Sequence, residues 1–219
     1  MQGMSMTVRT ILRPSLRDIG RHVAGMAAVE FALALPVLVG LTMGGAEAAN
    51  MAYTSQKLGD IATMSADSIS RIRLSISNGD VTDALGGIKI LGDPISLRNN
   101  GRIIVSSIAP VLDASGNVTN QKLRWQRCSG ALVKNSAFET TENTNLGAAG
   151  IGPTGRKIAA TKGSEMIFVE VYYTYKPLIS SSFFGTPQMS AYAAMAVRER
   201  TANDLLTSGT NSPCTTYAA

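Results

Sequence analysis

The longest apolar stretch of the chain lies near its N-terminus. No Lys or Arg occurs between Val23 and Tyr53, and residues 31–46 (FALALPVLVGLTMGGA) carry no charge of either sign. With the apolar residues 23–29 in front of it, this stretch is long enough to cross a hydrocarbon core of about 30 Å as a helix. Arginines precede it and the next basic residue is Lys57, so the N-terminus is expected in the cytoplasm.

A helical pattern continues beyond this stretch. Seven apolar side chains fall within one sector about 100° wide at the helical period. The opposite side carries charged residues such as Asp60 and Arg71, and Asn78-Gly79-Asp80 is expected to end the helix with turn chemistry. We therefore predict a transmembrane helix and its amphipathic extension over residues 26–78. The apolar positions are Met51, Leu58, Ile61, Ala62, Ile69, Ile72 and Ile76.

Beyond residue 80 the pattern becomes that of strands. Residues 102–108 are apolar and β-branched, residues 122–127 alternate strictly, and residues 165–175 (EMIFVEVYYTY) form the clearest strand, with residues 188–198 as its expected partner. Residues 129–164 show little pattern, which predicts a long loop or a poorly ordered insertion. The fold class predicted is α+β: a long N-terminal transmembrane helix that extends into an exported domain with a small antiparallel β-sheet.

Length and composition favour one folded unit and an anchor. The chain has 219 residues, of which 45% are hydrophobic and 5% aromatic, with 21 glycines, so the core is expected to be modest. We divide it into a basic cytoplasmic leader (1–25), the helix and its extension (26–78), an exported β-rich domain (79–200) and a C-terminal tail (201–219).

The net charge of +5 belongs mainly to the leader. Residues 1–25 hold four arginines and one acid, and the remaining sixteen basic and fourteen acidic side chains give +2, so nucleic-acid binding is not expected. The arginines recur every four residues. They form either a helix face against anionic lipid or, because Pro14 interrupts it, an irregular positive segment. They are Arg9, Arg13, Arg17 and Arg21.

Glu30 lies near the start of the apolar run, where a carboxylate costs several kcal/mol unless it is paired or neutralised. Ala-Glu-Ala at residues 46–48 could supply an ordinary signal-peptide cleavage site, but a signal peptide does not account for the costly carboxylate of Glu30 in the apolar run. We expect a partner for this carboxylate.

Gly25-Met26-Ala27-Ala28-Val29-Glu30-Phe31 resembles the G-x-x-x-x-E-[FY] processing motif of type IV prepilins. The resemblance implies that a membrane aspartyl peptidase cleaves between Gly25 and Met26 and makes Glu30 the fifth mature residue. In an assembled bundle, the new α-amino group at Met26 could then neutralise Glu30 of a neighbouring subunit. The alternative is a glutamate that reaches to the lipid headgroups.

Three further residues of the run bear on helix packing. Gly40 and Gly44 form a G-x-x-x-G pair that permits close helix contact. Pro36 frees the carbonyl four residues before it and is expected to bend the helix. All three are compatible with packing in a filament core.

A narrower resemblance rests on spaced patches. Phe31, Ala32, Leu35 and Pro36, then residues 168–178 (FVEVYYTYKPL) and residues 196–200 (AVRER), look like the TadE/TadG-like family. The resemblance implies a minor pseudopilin of a tight-adherence (Flp, type IVb) pilus system, a structural subunit or an initiator or cap. The implied partners are a prepilin peptidase, the major Flp-type pilin, other minor pseudopilins, the inner-membrane assembly platform and membrane lipid.

The implied location is the inner membrane, single-pass, with the C-terminal domain periplasmic or in the extracellular pilus. The short length and the Gly25 motif favour a processed member over a longer TadG-like one. Two alternatives stay open at this point: an uncleaved bitopic assembly factor of the same system, and a membrane-anchored periplasmic enzyme.

Cys128 and Cys214 both lie in the part predicted to be exported, where a disulfide can persist. A disulfide between them would stabilise the fold by about 4.5 kcal/mol in the chain-entropy model, and it would fix the tail to the domain. Two free thiols are the alternative.

No catalytic or metal-binding pattern stands out. The sole histidine, His22, is in the leader, so no triad or structural zinc site is expected in the exported domain. Residues 150–155 match G-x-G-x-x-G without a preceding strand and are interpreted as loop glycines. The irregular spacing of the carboxylates does not indicate a paired-acid hydrolase, nor calcium binding by Asp80, Asp83 and Asp93. We predict no enzyme activity, cofactor or metal.

Overall fold

One long helix joins the apolar segment to the folded part of the chain. The structure, a computed structural model, describes residues 23–198 and 200–218, so the leader arginines and His22 lie outside the described residues. Helix α1 spans Val23–Ser70. The chain divides into two compact units, one up to Ala48 and one from Ala49 to the C-terminus. In the first unit, the residues that the structure describes are those of the apolar part of α1.

The predicted end of this helix is wrong. Helix α1 stops at Ser70, Leu74 has a positive φ of 62°, and a short strand β1 (Leu74–Ser77) follows. Residues 78–80, expected to end the helix, instead begin a second one, α2 (Asn78–Leu91).

A capping box explains the new start. The Ser77 hydroxyl accepts from the Asp80 N–H, and the Asp80 carboxylate accepts from the Ser77 N–H at 2.9 Å, which satisfies two backbone donors reciprocally. Asp80, which was expected in a turn, therefore lies in helix α2, as does Asp83. A 3-10 turn (Asp93–Ile95) and a short helix α3 (Leu97–Asn100) lead into the sheet.

The main sheet has four antiparallel strands in the order β3-β2-β4-β5. The predicted α+β fold class and the pairing of the last two strands are confirmed. The register places Ser106 opposite Phe168, and Val169 opposite Ala193. The strands are β2 (Gly101–Leu112), β3 (Val118–Ser129), β4 (Met166–Thr174) and β5 (Gln188–Ala196), with a short helix α4 (Ser181–Phe184) between the last two.

A second, two-stranded sheet was not predicted. Strand β6 (Arg200–Leu206) pairs in parallel with β1, with Ile76 opposite Leu205. Part of the segment predicted as a C-terminal tail is thus a strand. The pairing joins residues more than a hundred positions apart, which leaves no local signal in the sequence.

The two faces of the main sheet are covered differently. Helices α1 and α2 pack on one face, where Ile61, Ile69 and Leu85 are fully buried together with Val105 and Val169. On the other face, a smaller cluster forms around buried Phe168, packed against Phe138 and Ile158 of the long loop between β3 and β4. The loop predicted from residues 129–164 is therefore present, and it is tied to the edge of β3 through Asn143 and Thr144.

Within the folded unit, α1 runs alongside strand β4. At one end the Asn50 amide donates to the Tyr175 hydroxyl at 2.7 Å, directly after β4 ends. At the other end the Arg198 N–H donates to the Ser70 carbonyl, beyond the end of β5. The loop between β4 and β5 consequently lies at the Asn50 end of the domain.

Candidate functional site

The apolar part of α1 exposes its side chains all round. No residue in the membrane-length window of this helix is buried, and α1 is long and apolar enough to cross a membrane by length and composition. A helix that is apolar around its circumference needs lipid or another protein chain to cover it. The exposed large side chains are Met26, Val29, Phe31, Leu33, Leu35, Val37, Leu38, Val39, Leu41 and Met43.

The predicted processing residues lie together near the start of this helix. Gly25, Met26, Glu30 and Phe31 are all inside α1, and Met26 and Glu30, four residues apart, share a face. The Glu30 side chain is exposed. Within residues 23–198 and 200–218, no side chain forms an ion pair with it. A carboxylate placed in this way among apolar side chains is suited to a partner outside the chain.

The predicted packing residues follow two turns later. Helix α1 continues through Pro36. A Cβ added at Gly40 or Gly44 would meet nothing within 4 Å, so the packing of the chain itself does not require glycine at either position. The two lie four residues apart and give one small patch on the helix surface. The hydroxyl of Thr42 donates to the Leu38 and Val39 carbonyls at 3.0 Å each, which satisfies its polar group within the helix.

The C-terminal end of α1 is held by an arginine that the sequence analysis did not single out. The Arg200 guanidinium donates to the Ile69 carbonyl at 2.6 Å and to the Ile72 carbonyl at 3.2 Å. These bonds satisfy carbonyls that a helix end leaves without partners. Burial lowers the pKa of Arg200, and the nearby Glu165 and Asp80 carboxylates oppose that effect. The cation joins the helix end to β6.

A second buried arginine holds the C-terminal residues with the disulfide. Cys128 and Cys214 are joined, with Cα atoms 4.7 Å apart. The Arg102 side chain is fully buried and donates to the carbonyls of Gly130 at 2.8 Å, Cys214 at 2.8 Å and Thr216 at 2.6 Å. Its guanidinium also lies 4.3 Å from the centre of the Tyr217 ring. Burial lowers its pKa. An arginine inside an apolar strand was the available sequence signal.

The buried carboxylates of the domain tie its parts together. Glu170 accepts from the Ser136 hydroxyl and the Tyr172 hydroxyl at 2.6 Å each, and from the Ala137 N–H at 3.2 Å, which fixes the long loop to β4. Burial raises the pKa of Glu170, and these hydrogen bonds partly offset the increase. Glu165 pairs with Arg124 at 2.8 Å. Both carboxylates have partners and act as cross-links.

One cleft of the domain is polar, and four of its charged side chains form two ion pairs. It measures about 380 Å³ and is lined by residues of β2, β3 and β6. Arg124 pairs with Asp204 across it, and Arg127 pairs with Glu142 at 2.7 Å. The cleft therefore presents neither a free nucleophile nor a concentration of one charge.

The candidate calcium residues are not brought together in a site. The Asp80 carboxylate caps α2, and the Asp93 carboxylate pairs with Arg98 at 3.0 Å. In the part of the chain that the structure describes, no group of three or more His, Cys, Asp or Glu side chains could hold a metal ion. The glycine-rich segment at residues 150–155 is a tight loop: Gly150 has φ of +80°, and a Cβ there would lie 2.0 Å from the Ile158 carbonyl oxygen.

The comparison with protein families places the apolar helix in a known class. Residues 25–67 match the family model described as TadE-like protein, which confirms the resemblance to the TadE/TadG-like family. The match begins at the predicted processing glycine and indicates involvement in the tight-adherence pilus system, as a structural or assembly component. No curated protein matches the chain. No solved structure matches it either.

Proposed function

We propose that the chain is a minor pseudopilin of a tight-adherence (Flp, type IVb) pilus assembly system, acting as a structural subunit or as an initiator or cap of the fibre. In this proposal it is inserted in the inner membrane with its N-terminus in the cytoplasm. A prepilin peptidase cleaves between Gly25 and Met26. The partners are the major Flp-type pilin, other minor pseudopilins and the inner-membrane assembly platform, and the folded domain is periplasmic or part of the extracellular pilus.

One observation carries this proposal. The TadE-like segment, residues 25–67, contains the stretch of α1 whose side chains are exposed all round, and it contains Glu30 as well. Lipid can cover the apolar side chains, but it does not neutralise a carboxylate at membrane depth. A neighbouring subunit with a positive charge can do both.

The charge that Glu30 needs would be created by cleavage. Removal of residues 1–25 leaves an α-ammonium group at Met26, one helical turn from Glu30 along the same face. When two helices pack side by side, the ammonium of one and the carboxylate of the other gain partners together. The cost of placing each charge among apolar side chains then favours assembly and sets the register of the two helices.

The folded domain is suited to being carried by the helix. Arg200 binds the last carbonyls of α1, and α1 residues such as Ile61 and Ile69 belong to the main core of the domain. A shift of the helix end would therefore disturb the core. The domain would move with the helical part that it packs against when the subunit enters a fibre.

Processing is tested by the mass of the protein extracted from membranes. The expected first residue is Met26. Gly25→Val should leave the leader in place, because a bulky side chain replaces the glycine of the motif, whereas Gly20→Val, a matched change five residues earlier, should not. A wild-type chain that retains residues 1–25 would contradict the proposal and support the uncleaved assembly factor.

Docking is tested by Glu30→Gln in cells that make the pilus. The variant should reach the membrane at the wild-type level. Breaking a buried charge pair costs about 3–5 kcal/mol, so its assembly should fall by about two orders of magnitude or more. Asp60→Asn is the matched control, since Asp60 is exposed on the same helix beyond the apolar segment. Normal pilus output with Glu30→Gln would exclude the docking role and would fit an anchored enzyme, which should be indifferent to this change.

A further inference from the structure

The residues after β6 are held against the folded unit at several points. We call residues 207–218 the C-terminal segment. The Thr82 hydroxyl, on α2, donates to the Thr210 carbonyl at 2.7 Å and lies 2.8 Å from the Ser212 hydroxyl. At the edge of β3, the Cys128 N–H donates to the Ser212 carbonyl at 2.9 Å. None of these hydrogen bonds involves a sulfur atom, so the chain with two free thiols can form them as well.

Arg102 binds backbone on both sides of the disulfide. Its guanidinium donates to the carbonyls of Cys214 and Thr216 in the C-terminal segment. It also donates to the carbonyl of Gly130, two residues after Cys128. Arg102 lies in the inner strand β2 and is fully buried, so the sheet fixes its position. A cation fixed in this way holds the two cysteines close together before their sulfur atoms are joined.

The two cysteines differ in exposure. Cys128 is 4% exposed and belongs to a buried cluster with Ile104 and Tyr172. It lines a small cleft of about 170 Å³, whose wall is formed in part by the C-terminal segment. Cys214 packs against the same cluster but is only partly buried. Because a thiolate must be accessible to react with a disulfide from outside, the two thiols should react at different rates.

We propose that Cys214 is the cysteine through which this disulfide is formed and reopened in the folded domain. The reactant is a disulfide-bearing oxidant when the bond is formed and a thiol when it is reopened. Arg102 is the positioning residue for closure of the bond onto Cys128. The proposal concerns the folded unit alone, so it depends neither on cleavage of the leader nor on assembly of a pilus.

Formation takes two exchange steps. The Cys214 thiolate attacks one sulfur of the oxidant, which breaks the S–S bond of the oxidant and releases one of its halves as a thiolate. The Cys128 thiolate then attacks the Cys214 Sγ atom of the mixed disulfide, forms the bond between the two cysteines and releases the second half. The protein loses two electrons and the oxidant gains them. The protons of the two cysteine thiols pass through water to the two released thiolates.

Reopening runs the same steps in reverse and does not require unfolding. A thiolate from outside attacks Cys214 Sγ and displaces the Cys128 thiolate. The hydrogen bonds of Arg102 and Thr82 hold the C-terminal segment in both redox states. The disulfide is therefore a lock that can be opened and closed on a segment that stays in place.

The first test compares the two thiols in the full chain in mild detergent, with oxidised glutathione as the probe. The chain has two cysteines, so Cys128→Ser leaves Cys214 alone and Cys214→Ser leaves Cys128 alone. Mass spectrometry follows the glutathione adduct. The adduct at Cys214 should form at least about tenfold faster than the adduct at Cys128 in the native domain, and the two rates should agree within about twofold in urea. Equal native rates, or a faster reaction at Cys128, overturn the proposal.

The second test concerns Arg102 in the chain with both cysteines. At high oxidised glutathione, formation of the adduct is fast and closure onto Cys128 limits the rate. Arg102→Met should slow closure by about tenfold and leave adduct formation at Cys214 unchanged, because the two sulfur atoms are no longer held together. Arg102→Lys should restore part of the rate. In urea, these variants and the wild type should close at the same rate.

Arg200→Met is the matched control. It removes another buried arginine that binds backbone carbonyls, so it tests whether any loss of stability slows closure. Its closure rate should equal that of the wild type. Equal slowing by Arg200→Met, or no slowing by Arg102→Met, overturns the positioning role of Arg102. The circular dichroism spectrum checks the fold of each variant, and Arg102→Lys replaces Arg102→Met if the latter does not fold.

Discussion

Removal of the disulfide between Cys128 and Cys214 should strongly destabilise the folded domain. The two residues are 86 positions apart. In the chain-entropy model, closing a loop of that length raises the free energy of the unfolded chain by about 4.5 kcal/mol. Small domains are stable by about 5–15 kcal/mol in total. Arg102 binds three carbonyls, those of Gly130, Cys214 and Thr216, without needing the disulfide. The C-terminal residues should therefore stay in place in the native state after reduction.

The assay is urea unfolding of the full chain in mild detergent, followed by circular dichroism. The variant with both cysteines replaced by serine should unfold at a lower urea concentration than the oxidised wild type. Its free energy of unfolding should be smaller by about 4 kcal/mol. Reduced wild type is the matched control and should coincide with the variant, whose unfolding should not respond to reductant.

A specific result would refute this reasoning. If the oxidised wild type and the variant unfold within about 0.5 kcal/mol of each other, the difference is no larger than that of an ordinary surface substitution. Restriction of the unfolded chain would then contribute nothing measurable, and the hydrogen bonds of Arg102 would carry the attachment of the C-terminal residues.

Two more predictions concern buried charges. Arg200→Met removes the bonds to Ile69 and Ile72 and should cost about 3 kcal/mol in urea unfolding, whereas Arg198→Met, at an exposed position, should cost less than about 0.5 kcal/mol. For Glu170, burial raises the folded-state pKa above its ordinary value of 4.5. Its contribution to stability is therefore fully present below the unfolded pKa and is lost as the pH rises through the folded pKa. Glu170→Gln should make stability less dependent on pH across that window; an unchanged slope would contradict the assignment.

The strands of the main sheet were predictable because their signals are local. Alternation over residues 122–127 and the β-branched and aromatic run at residues 165–175 are visible without knowledge of the fold. The end of α1 was not predictable from the sequence, because Ile72 and Ile76 continue the helical period although Ile76 is buried in β1. The Ser77 and Asp80 pair was a readable start signal for α2 that the prediction overlooked.

In the candidate site, too, some residues could be identified from the sequence and others could not. Residues 25–31 form a contiguous motif, so they could be identified from the sequence, and the family match starts at Gly25. The roles of Arg102 and Arg200 could not be identified from the sequence, because the carbonyls that they bind come from segments distant in the chain. The role of a buried arginine can be inferred only when the groups that it binds are known.

In the proposed function, the helix that begins at Met26 is the part of the chain that assembles. Mass spectrometry of the N-terminal peptide of this chain, in sheared, purified pili and in the membranes of the same cells, tests this directly. For the wild type, a peptide that begins at Met26 is expected in both fractions; for Glu30→Gln, it is expected in the membranes alone. A chain that keeps residues 1–25 in the membranes and is absent from the pili would contradict it.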